Sequence, residues 1–332
     1  MPTVTLRPWT RRALTTLAGA GLVLTLAACG GPAGVGGAAA KDDASGPELK
    51  IAMITHSGAG DTFWDIVRSG AEAAAKKDHA ELLYSSDPDG ARQAQLVDQA
   101  VDQKVDGIIV TLAKPDAVAS SVKAAVAAGI PVVSINSGED AWQALGVLAH
   151  FGQNETIAGE AAGTKLDELG AKKAVCVVHE QGNVGHEARC DGLAKTFTGS
   201  IERLYVNGQD MTNVASTITA KLQTSPDIDY VVTLGAPFAM TAIDAIADAG
   251  SSAKLATFDL SADAVDAMKA GKIAFIVDQQ PYLQGYEALD NLWLYKTNGN
   301  ILGGGKTVLT GPQILTSADA DKIAGFAKNG TR

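Results

Sequence analysis

The chain has 332 residues, of which 46% are hydrophobic and 19% are charged, as in soluble globular proteins that bury a substantial core. This composition excludes a disordered chain and a polytopic membrane protein, and the length predicts about two domains. Acidic residues outnumber basic residues by 37 to 27, which gives a net charge of −10, and no long basic run could neutralise a phosphate backbone. We therefore expect no nucleic acid partner.

The N-terminal segment, residues 1–28, predicts an export signal. Its arginines form a positive start, and residues 13–28 form an apolar stretch that is too short for a typical membrane span. Residues 26–30 (LAACG) resemble the lipobox of bacterial lipoproteins, in which Cys29 would carry lipid and begin the mature chain. The alternative is an ordinary secretory peptide with an incidental cysteine. Removal of residues 1–28 takes away three arginines and no acidic residue, so the mature chain would carry a charge of −13.

Residues 29–48 predict a flexible, lipid-anchored tether, because they are rich in glycine and alanine and show no apolar period. A loose match to a dinucleotide fingerprint at residues 34–39 has no strand before it and no helix after it, so it does not indicate a nucleotide site. The mature protein is expected at the outer face of the bacterial cytoplasmic membrane, in the cell envelope or periplasm.

Glu48 begins a region in which short apolar runs alternate with helical patterns, the sequence form of stacked βαβ units. The first block alternates strands and helices at 49–54, 64–77, 80–84, 93–103, 107–111, 116–128 and 130–135, with a shorter unit at 145–151. The second block begins with a helix and alternates at 155–169, 174–179, 187–197, 201–206, 213–223, 230–234, 240–249, 255–258, 262–270 and 273–277. A helix at 283–297 and a polar tail with residues 307–310 close the chain.

Two blocks of similar size predict an α/β protein with two doubly wound parallel sheets, each with helices on both faces. A ligand should bind between them, at the carboxyl ends of the strands. Cys176 and Cys190 form an even pair in a compartment that permits disulfides, so a bridge is plausible. The alternative is two unpaired thiols, with Cys176 packed in a core strand. No third ligand group is arranged for zinc, and no metal is expected.

Catalytic motifs are absent from the sequence. There is no Gly-x-Ser-x-Gly elbow, no Walker loop and no His-Glu-x-x-His, and residues 186–190 (HEARC) have cysteine where the second zinc histidine should be. His56 and Ser57 are neighbours after the first strand, and a structural role in the loop is expected for His56. The remaining histidines lack any spacing that clusters them, so surface or strand-end positions are predicted for His79, His150, His179 and His186. We expect neither an enzyme nor a cofactor.

Polar and aromatic residues follow several of the predicted strands and should converge on one cleft. They are Asp61, Phe63 and Trp64, then Asn136 and Ser137, Arg189, Asp259, and Gln279. A sugar has vicinal hydroxyls and flat C–H faces, so its site needs carboxylates, amides and a guanidinium around aromatic rings. The alternative is that Asp61 only caps a helix and that Phe63 and Trp64 form a hydrophobic staple. The recurrence at several strand ends favours the ligand site.

In this order the motifs resemble the ribose/galactose type of periplasmic sugar-binding proteins of ABC importers, over nearly the whole mature length. The matching segments are 61–64 (DTFW) with Gly70, 107–110 (GIIV), 128–133 (AGIPVV), 189–192 (RCDG), 257–259 (TFD) and 278–285 (DQQPYLQG). The resemblance implies a type I periplasmic binding protein with a multi-crossing hinge near Gly152, Gln280 and Gly311. It implies an N-terminal lobe of residues 49–152 plus 281–310 and a C-terminal lobe of residues 153–280 plus 311–332.

The same resemblance implies that a sugar pocket is lined by Asp61, Phe63, Trp64, Asn136, Arg189, Asp259 and Gln279. Asn136-Ser137 replaces a usual Asp-Arg and so loses a guanidinium, and residues 234–237 (LGAP) replace a usual Asn-Asp and open space near Gly235. Asp61 stands where ribose-type proteins often carry asparagine. A different or larger polyol-like ligand is therefore expected instead of ribose.

The function implied is capture of a monosaccharide or related polyol by hinge closure, followed by delivery to an ABC permease. In the closed cleft Asp259 and Arg189 should compensate each other's burial. The expected partners are the ligand, the permease subunits and, through the lipid anchor, the membrane, with the protein itself a monomer. One alternative is a receptor that passes a sugar or autoinducer signal to a membrane sensor kinase or chemoreceptor. Another is an exported lipoprotein enzyme that acts on carbohydrate.

Overall fold

The computed structural model describes residues 48–58 and 61–332, in which strands and helices alternate along the chain. Six strands form the first sheet: β1 (Lys50–Thr55), β2 (Glu81–Ser86), β3 (Gly107–Thr111), β4 (Val132–Ile135), β5 (His150–Gln153) and β11 (Val308–Gly311). Six more form the second sheet: β6 (Lys173–Val178), β7 (Ser200–Tyr205), β8 (Tyr230–Thr233), β9 (Lys254–Phe258), β10 (Ile276–Asp278) and β12 (Gln313–Leu315). The predicted fold class is confirmed.

Helices cover both faces of each sheet. The first sheet carries α1 (Thr62–Asp78), α2 (Gly90–Asp102), α3 (Pro115–Ala127) and α9 (Pro281–Asn298), and together they form the first lobe. The second sheet carries α4 (Glu155–Glu168), α5 (Val184–Thr196), α6 (Met211–Thr224), α7 (Ala236–Asp248), α8 (Ala262–Lys269) and α10 (Ala320–Lys328), and together they form the second lobe. Central strands such as β3 are buried along their whole length, as expected for parallel strands covered on both faces.

The two sheets have the same strand order. The first sheet runs β11-β5-β4-β3-β1-β2, and the second runs β12-β10-β9-β8-β6-β7. Each strand therefore has an equivalent in the other sheet, so that β1 corresponds to β6 and β4 to β9. The pairing of β12 with β10 is antiparallel, which departs from the predicted all-parallel sheet. Residues 307–310, predicted as a polar tail, contribute to β11, and α10 was not predicted.

The chain passes between the sheets three times. Asn154 separates β5 of the first sheet from α4 of the second lobe, and residues 279–280 lead from β10 back to α9. The third passage lies between β11 and β12, where Gly311 and Pro312 are joined by a cis peptide bond.

Two glycines bring α4 and α5 into close contact. A Cβ atom at Gly159 would lie 2.2 Å from the carbonyl oxygen of Arg189, and one at Gly192 would lie 2.2 Å from that of Thr156. A larger residue at either position would push the helices apart. The absent side chains thus set the distance between the start of α4 and the middle of α5.

A disulfide joins the second sheet to a helix in the structure. Cys176 of β6 and Cys190 of α5 are both buried and bonded, with their Cα atoms 6.0 Å apart. Within the part of the chain that the structure describes, no helix is both long and apolar enough to cross a membrane. The predicted export signal, Cys29 and nearly all of the predicted tether lie outside the described residues.

Candidate functional site

A cleft lies between the carboxyl ends of the two sheets and is lined by residues of both lobes. Seven of the eight residues predicted to bind ligand line this cleft: Asp61, Phe63, Trp64, Asn136, Arg189, Gly235 and Asp259. The eighth, Gln279, is fully buried behind it. The fold therefore brings together predicted residues that lie up to about 200 positions apart in the chain.

The first turn of α1 supplies one wall. Asp61 is the N-cap of this helix, and its carboxylate accepts a hydrogen bond of 3.2 Å from the backbone N–H of Phe63. Phe63 and Trp64 meet edge to face, with ring centroids 5.1 Å apart, and both also pack into the core of the first lobe. Capping, core packing and lining of the cleft are thus combined in the same three residues.

Asn136 and Asp259 occupy equivalent places in the two lobes, directly after β4 and β9. Both have a left-handed backbone, with φ of 65° and 66°. Asparagine and aspartate tolerate this conformation better than most residues. Each backbone N–H donates at 2.9 Å to a neighbouring strand, that of Asn136 to Phe151 and that of Asp259 to Val277. These two polar side chains therefore face the cleft from opposite sheets.

Gln279 links these two residues from behind. Its side-chain amide donates to Asp259 Oδ1 at 2.5 Å, and its Oε1 accepts from Asn136 Nδ2 at 3.1 Å. Gln284 of α9 donates to the same Oε1 at 2.8 Å. Gln279 thus positions the two strand-end residues and does not itself line the cavity, which differs from the predicted direct role.

Arg189 is paired first with a residue that the sequence did not single out. Glu155, at the start of α4, accepts from Arg189 Nε at 2.6 Å and from Nη2 at 2.9 Å. Nη1 donates to the carbonyl of Leu234 at 3.1 Å and lies 3.7 Å from Asp259 Oδ2. Arg189 is 3% exposed, so this two-point pair lies in a dry environment. The expected partnership of Arg189 with Asp259 is therefore only the outer part of a larger network.

Burial dominates the electrostatics of the two carboxylates that line the cleft. It raises the pKa of Asp61 to about 6 and that of Asp259 to about 7. Arg189 and the amide of Gln279 oppose the rise at Asp259 without cancelling it. Within the described chain, no group of histidine, cysteine and acidic side chains is arranged to hold a metal ion.

Three histidines also line the cleft, which the sequence did not predict. His56 and His179 each follow a strand directly, at the equivalent ends of β1 and β6. His186 lies in the first turn of α5 and is 7% exposed. Burial lowers the pKa of all three imidazoles, which keeps them neutral. The predicted surface or strand-end position is wrong for His186, which lies buried within α5, whereas His150 is a strand-end residue, fully buried at the start of β5.

The two lobes touch across the cleft. Lys114 Nζ of the first lobe lies 3.0 Å from Glu180 Oε1 of the second, and the N–H of Val184 donates to the carbonyl of Ala113 at 3.0 Å. The side chain of Asn183 contacts His56 Nε2 at 3.3 Å. The structure therefore shows a closed cleft. Its walls offer charged acceptors, amides, a guanidinium, neutral imidazoles and aromatic rings, a set suited to a polyhydroxylated ligand.

The family model described as the periplasmic binding protein domain matches residues 51–300 of the chain, which include both strand-end residues of the cleft and the Arg189 network. The chain belongs to this family. A solved structure, that of a carbohydrate transporter from Acidothermus cellulolyticus 11B in complex with myo-inositol, is 52% identical with a TM-score of 0.85. The match covers 86% of this chain and 100% of that one.

Curated periplasmic binding proteins are more distant. The ribose import binding protein RbsB of Bacillus subtilis is 25% identical over 69% of this chain and 77% of its own length. The D-apiose import binding protein of Paraburkholderia graminis is 28% identical over 83% of this chain and 90% of its own. The family is one of extracytoplasmic solute-binding proteins and not of enzymes, and the relatives include sugar-import proteins, which confirms the resemblance that the sequence motifs indicated.

Proposed function

We propose that this protein captures a cyclic polyol of the inositol class and delivers it to an ABC permease. The observation that carries the proposal is the likeness to the carbohydrate transporter bound to myo-inositol, at 52% identity and over 86% of the chain. A cyclitol carries a hydroxyl on each ring carbon, so it needs polar partners around its whole edge and apolar partners on its two faces. The cleft supplies both kinds of partner.

The ligand contacts come from both lobes. Asp61 and Asn136 of the first lobe, and Asp259 and Arg189 of the second, offer acceptors and donors for hydroxyl groups. Phe63 and Trp64 offer aromatic faces to the ring C–H groups, as Phe238 does from the second lobe. Gly235 leaves room at the start of α7.

Capture proceeds by closure of one lobe on the other about the three chain passages. We assign residues 49–152 plus 281–310 to the N-terminal lobe and residues 153–280 plus 311–332 to the C-terminal lobe. Contacts such as Lys114 with Glu180 join the lobes directly, so they form on closing and break on opening. The ligand stabilises the closed state by as much as its affinity for the two states differs.

Anchoring follows from the N-terminal sequence. Cys29 carries lipid after removal of residues 1–28, and residues 29–48 tether the monomeric protein to the outer face of the cytoplasmic membrane. The small residues before Cys29 and the glycine-rich run after it support this assignment. The tether keeps the protein near the permease that receives its ligand.

A thermal-shift screen followed by calorimetry tests the ligand class. The chain without residues 1–28 is mixed with myo-inositol, scyllo-inositol, ribose, arabinose, glucose and xylitol. A hundredfold excess over Kd stabilises the folded state by about 2.7 kcal/mol. This corresponds to a Tm rise of about 4 °C for myo-inositol, and ribose at the same concentration should give a smaller rise. A larger shift with ribose than with any inositol would contradict the inositol class, and no shift with any compound would contradict polyol capture.

A pair of aspartate variants links the result to the cleft. Asp259→Ala truncates a buried carboxylate of the ligand site, so we expect binding to weaken by about 30-fold to several thousandfold. Asp248→Ala removes an exposed carboxylate at the end of α7 and should leave affinity unchanged. Equal affinities in the two variants would place the ligand site elsewhere.

A further inference from the structure

Two imidazoles and a phenyl ring form one continuous wall on the second-lobe side of the cleft. His179 stacks on Phe238 with ring centroids 3.6 Å apart and an interplanar angle of 17°. His186 contacts the same His179 ring, with centroids 4.2 Å apart. All three side chains line the cavity together with Asp259 and Arg189. The stack fixes the plane of His179, because one of its faces is covered by Phe238.

Both imidazoles carry unmet hydrogen-bonding capacity. The Nδ1 atoms of His179 and His186 are buried, and neither has a hydrogen-bond partner among the described residues. His56, by contrast, contacts Thr111 Oγ1 through Nδ1 at 2.8 Å. A buried polar atom without a partner costs free energy, and the described chain has such atoms away from the cleft as well; His179 and His186 differ from those in lining the cavity. Neutral imidazole offers one N–H donor and one acceptor on opposite sides of the ring, so each ring can hydrogen-bond to one ligand hydroxyl through the nitrogen that faces the cleft.

Gly235 makes room for this wall. A Cβ atom at Gly235 would lie 3.1 Å from Cδ2 of Phe238 and 3.4 Å from Cε1 of His179. The first of these contacts is tighter than a real Cβ normally makes, so a side chain here would disturb the stack. The motif that the sequence resembles has Asn-Asp after this strand, whereas the chain has Gly235-Ala236. Gly235 places no polar side chain after β8, whereas His179 places one after β6.

We propose that His179 and His186 are ligand-contacting residues, whose ring nitrogens hydrogen-bond to hydroxyls of the bound polyol while Phe238 holds His179 in place. This inference rests on the proposed function, since it concerns the same cleft, and it adds two specificity-determining residues to it. The pair selects ligands with polar groups on the second-lobe side of the ring. A ligand that places a methylene group there leaves the nitrogens unpaired and binds more weakly.

Two substitutions of His179 separate ligand contact from packing. His179→Leu fills the space with an apolar side chain and removes both nitrogens, whereas His179→Asn is smaller but keeps a donor and an acceptor. We expect His179→Leu to bind myo-inositol 10- to 100-fold more weakly, or about 1.4 to 2.8 kcal/mol. We expect His179→Asn to bind more tightly than His179→Leu. In the absence of ligand the order of Tm should be the reverse, since leucine leaves no buried nitrogen unpaired.

Tyr230→Phe is the matched control. Tyr230 lies in β8, is 2% exposed and has a hydroxyl without a partner in the described chain, but it does not line the cleft. Its removal should leave affinity for myo-inositol within twofold of wild type. His186→Leu should weaken binding as His179→Leu does.

The outcomes are separable from those of the proposed function. If the wild-type protein binds myo-inositol and His179→Leu binds within threefold of it, or binds more tightly than His179→Asn, the histidine inference is overturned. If His179→Leu lowers the ligand-free Tm below that of His179→Asn, the imidazole has a structural role and the inference also fails. If the wild-type protein binds no polyol, the proposed function fails, and a ligand contact by His179 fails with it.

Discussion

Replacing Glu155 by alanine removes the carboxylate that holds two nitrogens of Arg189. Both side chains are buried, at 6% and 3% exposure, and the two hydrogen bonds between them measure 2.6 and 2.9 Å. The guanidinium keeps the Leu234 carbonyl and lies 3.7 Å from Asp259, which offsets part of the loss. Breaking a buried ion pair by removing one partner costs about 3 to 5 kcal/mol. We therefore expect Glu155→Ala to have a Tm about 5 to 8 °C below that of wild type.

The matched control is Glu160→Ala on the same helix. Glu160 pairs with Lys195 at 3.1 Å, but both side chains are solvent-accessible, so its loss should cost less than about 1 kcal/mol. The double variant Glu155→Leu with Arg189→Met replaces both charges by apolar groups. Its loss of stability should be much smaller than the sum of the losses in the two single variants. It should nevertheless bind no ligand, because the guanidinium is gone.

Calorimetric or urea unfolding of the ligand-free proteins measures these differences. The reasoning would be refuted if Glu155→Ala fell within 1 kcal/mol of wild type, or if the double variant lost as much stability as the two single variants together. Either result would mean that the Glu155–Arg189 pair is not the charged centre of the second lobe.

Three further predictions concern charge, the disulfide and the anchor. The pKa of Asp259 is raised by burial in the closed cleft from 3.8 to about 7, so its stabilisation is present below pH 3.8 and lost as the pH rises through 7. Wild type should therefore lose up to about 3 kcal/mol more stability than Asp259→Asn between pH 4 and 8, and equal pH slopes in thermal unfolding would refute this. Cys190→Ala removes the bridge to Cys176, which closes a short loop, and should lower stability by about 3 kcal/mol in denaturant titrations, whereas two free thiols in the denatured wild type would contradict the bridge. Cys29→Ala should release the protein from the membrane fraction, and mass spectrometry of an unmodified Cys29 in the wild type would disprove the anchor.

The sequence predicted two central residues of the cleft because they follow apolar strand runs directly. The carboxyl ends of parallel strands meet at one edge, so Asn136 after β4 and Asp259 after β9 could be assigned to the cleft without coordinates. The αβ alternation was predictable for the same reason, since buried parallel strands are continuous apolar runs. Strand β11 was not predictable, because Leu309 is exposed on this edge strand and the segment has no continuous apolar run.

The histidine wall and Glu155 depend on distances that the chain pattern does not contain. His186 faces the cleft because Asn183 caps α5 three residues earlier than predicted, accepting from the N–H of Gly185 at 2.9 Å. Glu155 meets Arg189 because small residues let α4 and α5 approach closely. The sequence did contain one signal: His56 and His179 each follow the first strand of a block, as Asn136 and Asp259 each follow a later, equivalent strand.

The three passages of the chain between the sheets make the lobes a tethered pair of half-sites. A ligand held by Asp61 and Asn136 meets the second half, with Asp259 and Arg189, at an effective concentration set by the passages and not by the amount of protein in solution. Three passages restrict the relative movement of the lobes more than a single passage would. Little of the binding free energy is therefore lost in bringing the second lobe onto the ligand. Two individually weak surfaces can therefore retain a small, strongly hydrated ligand.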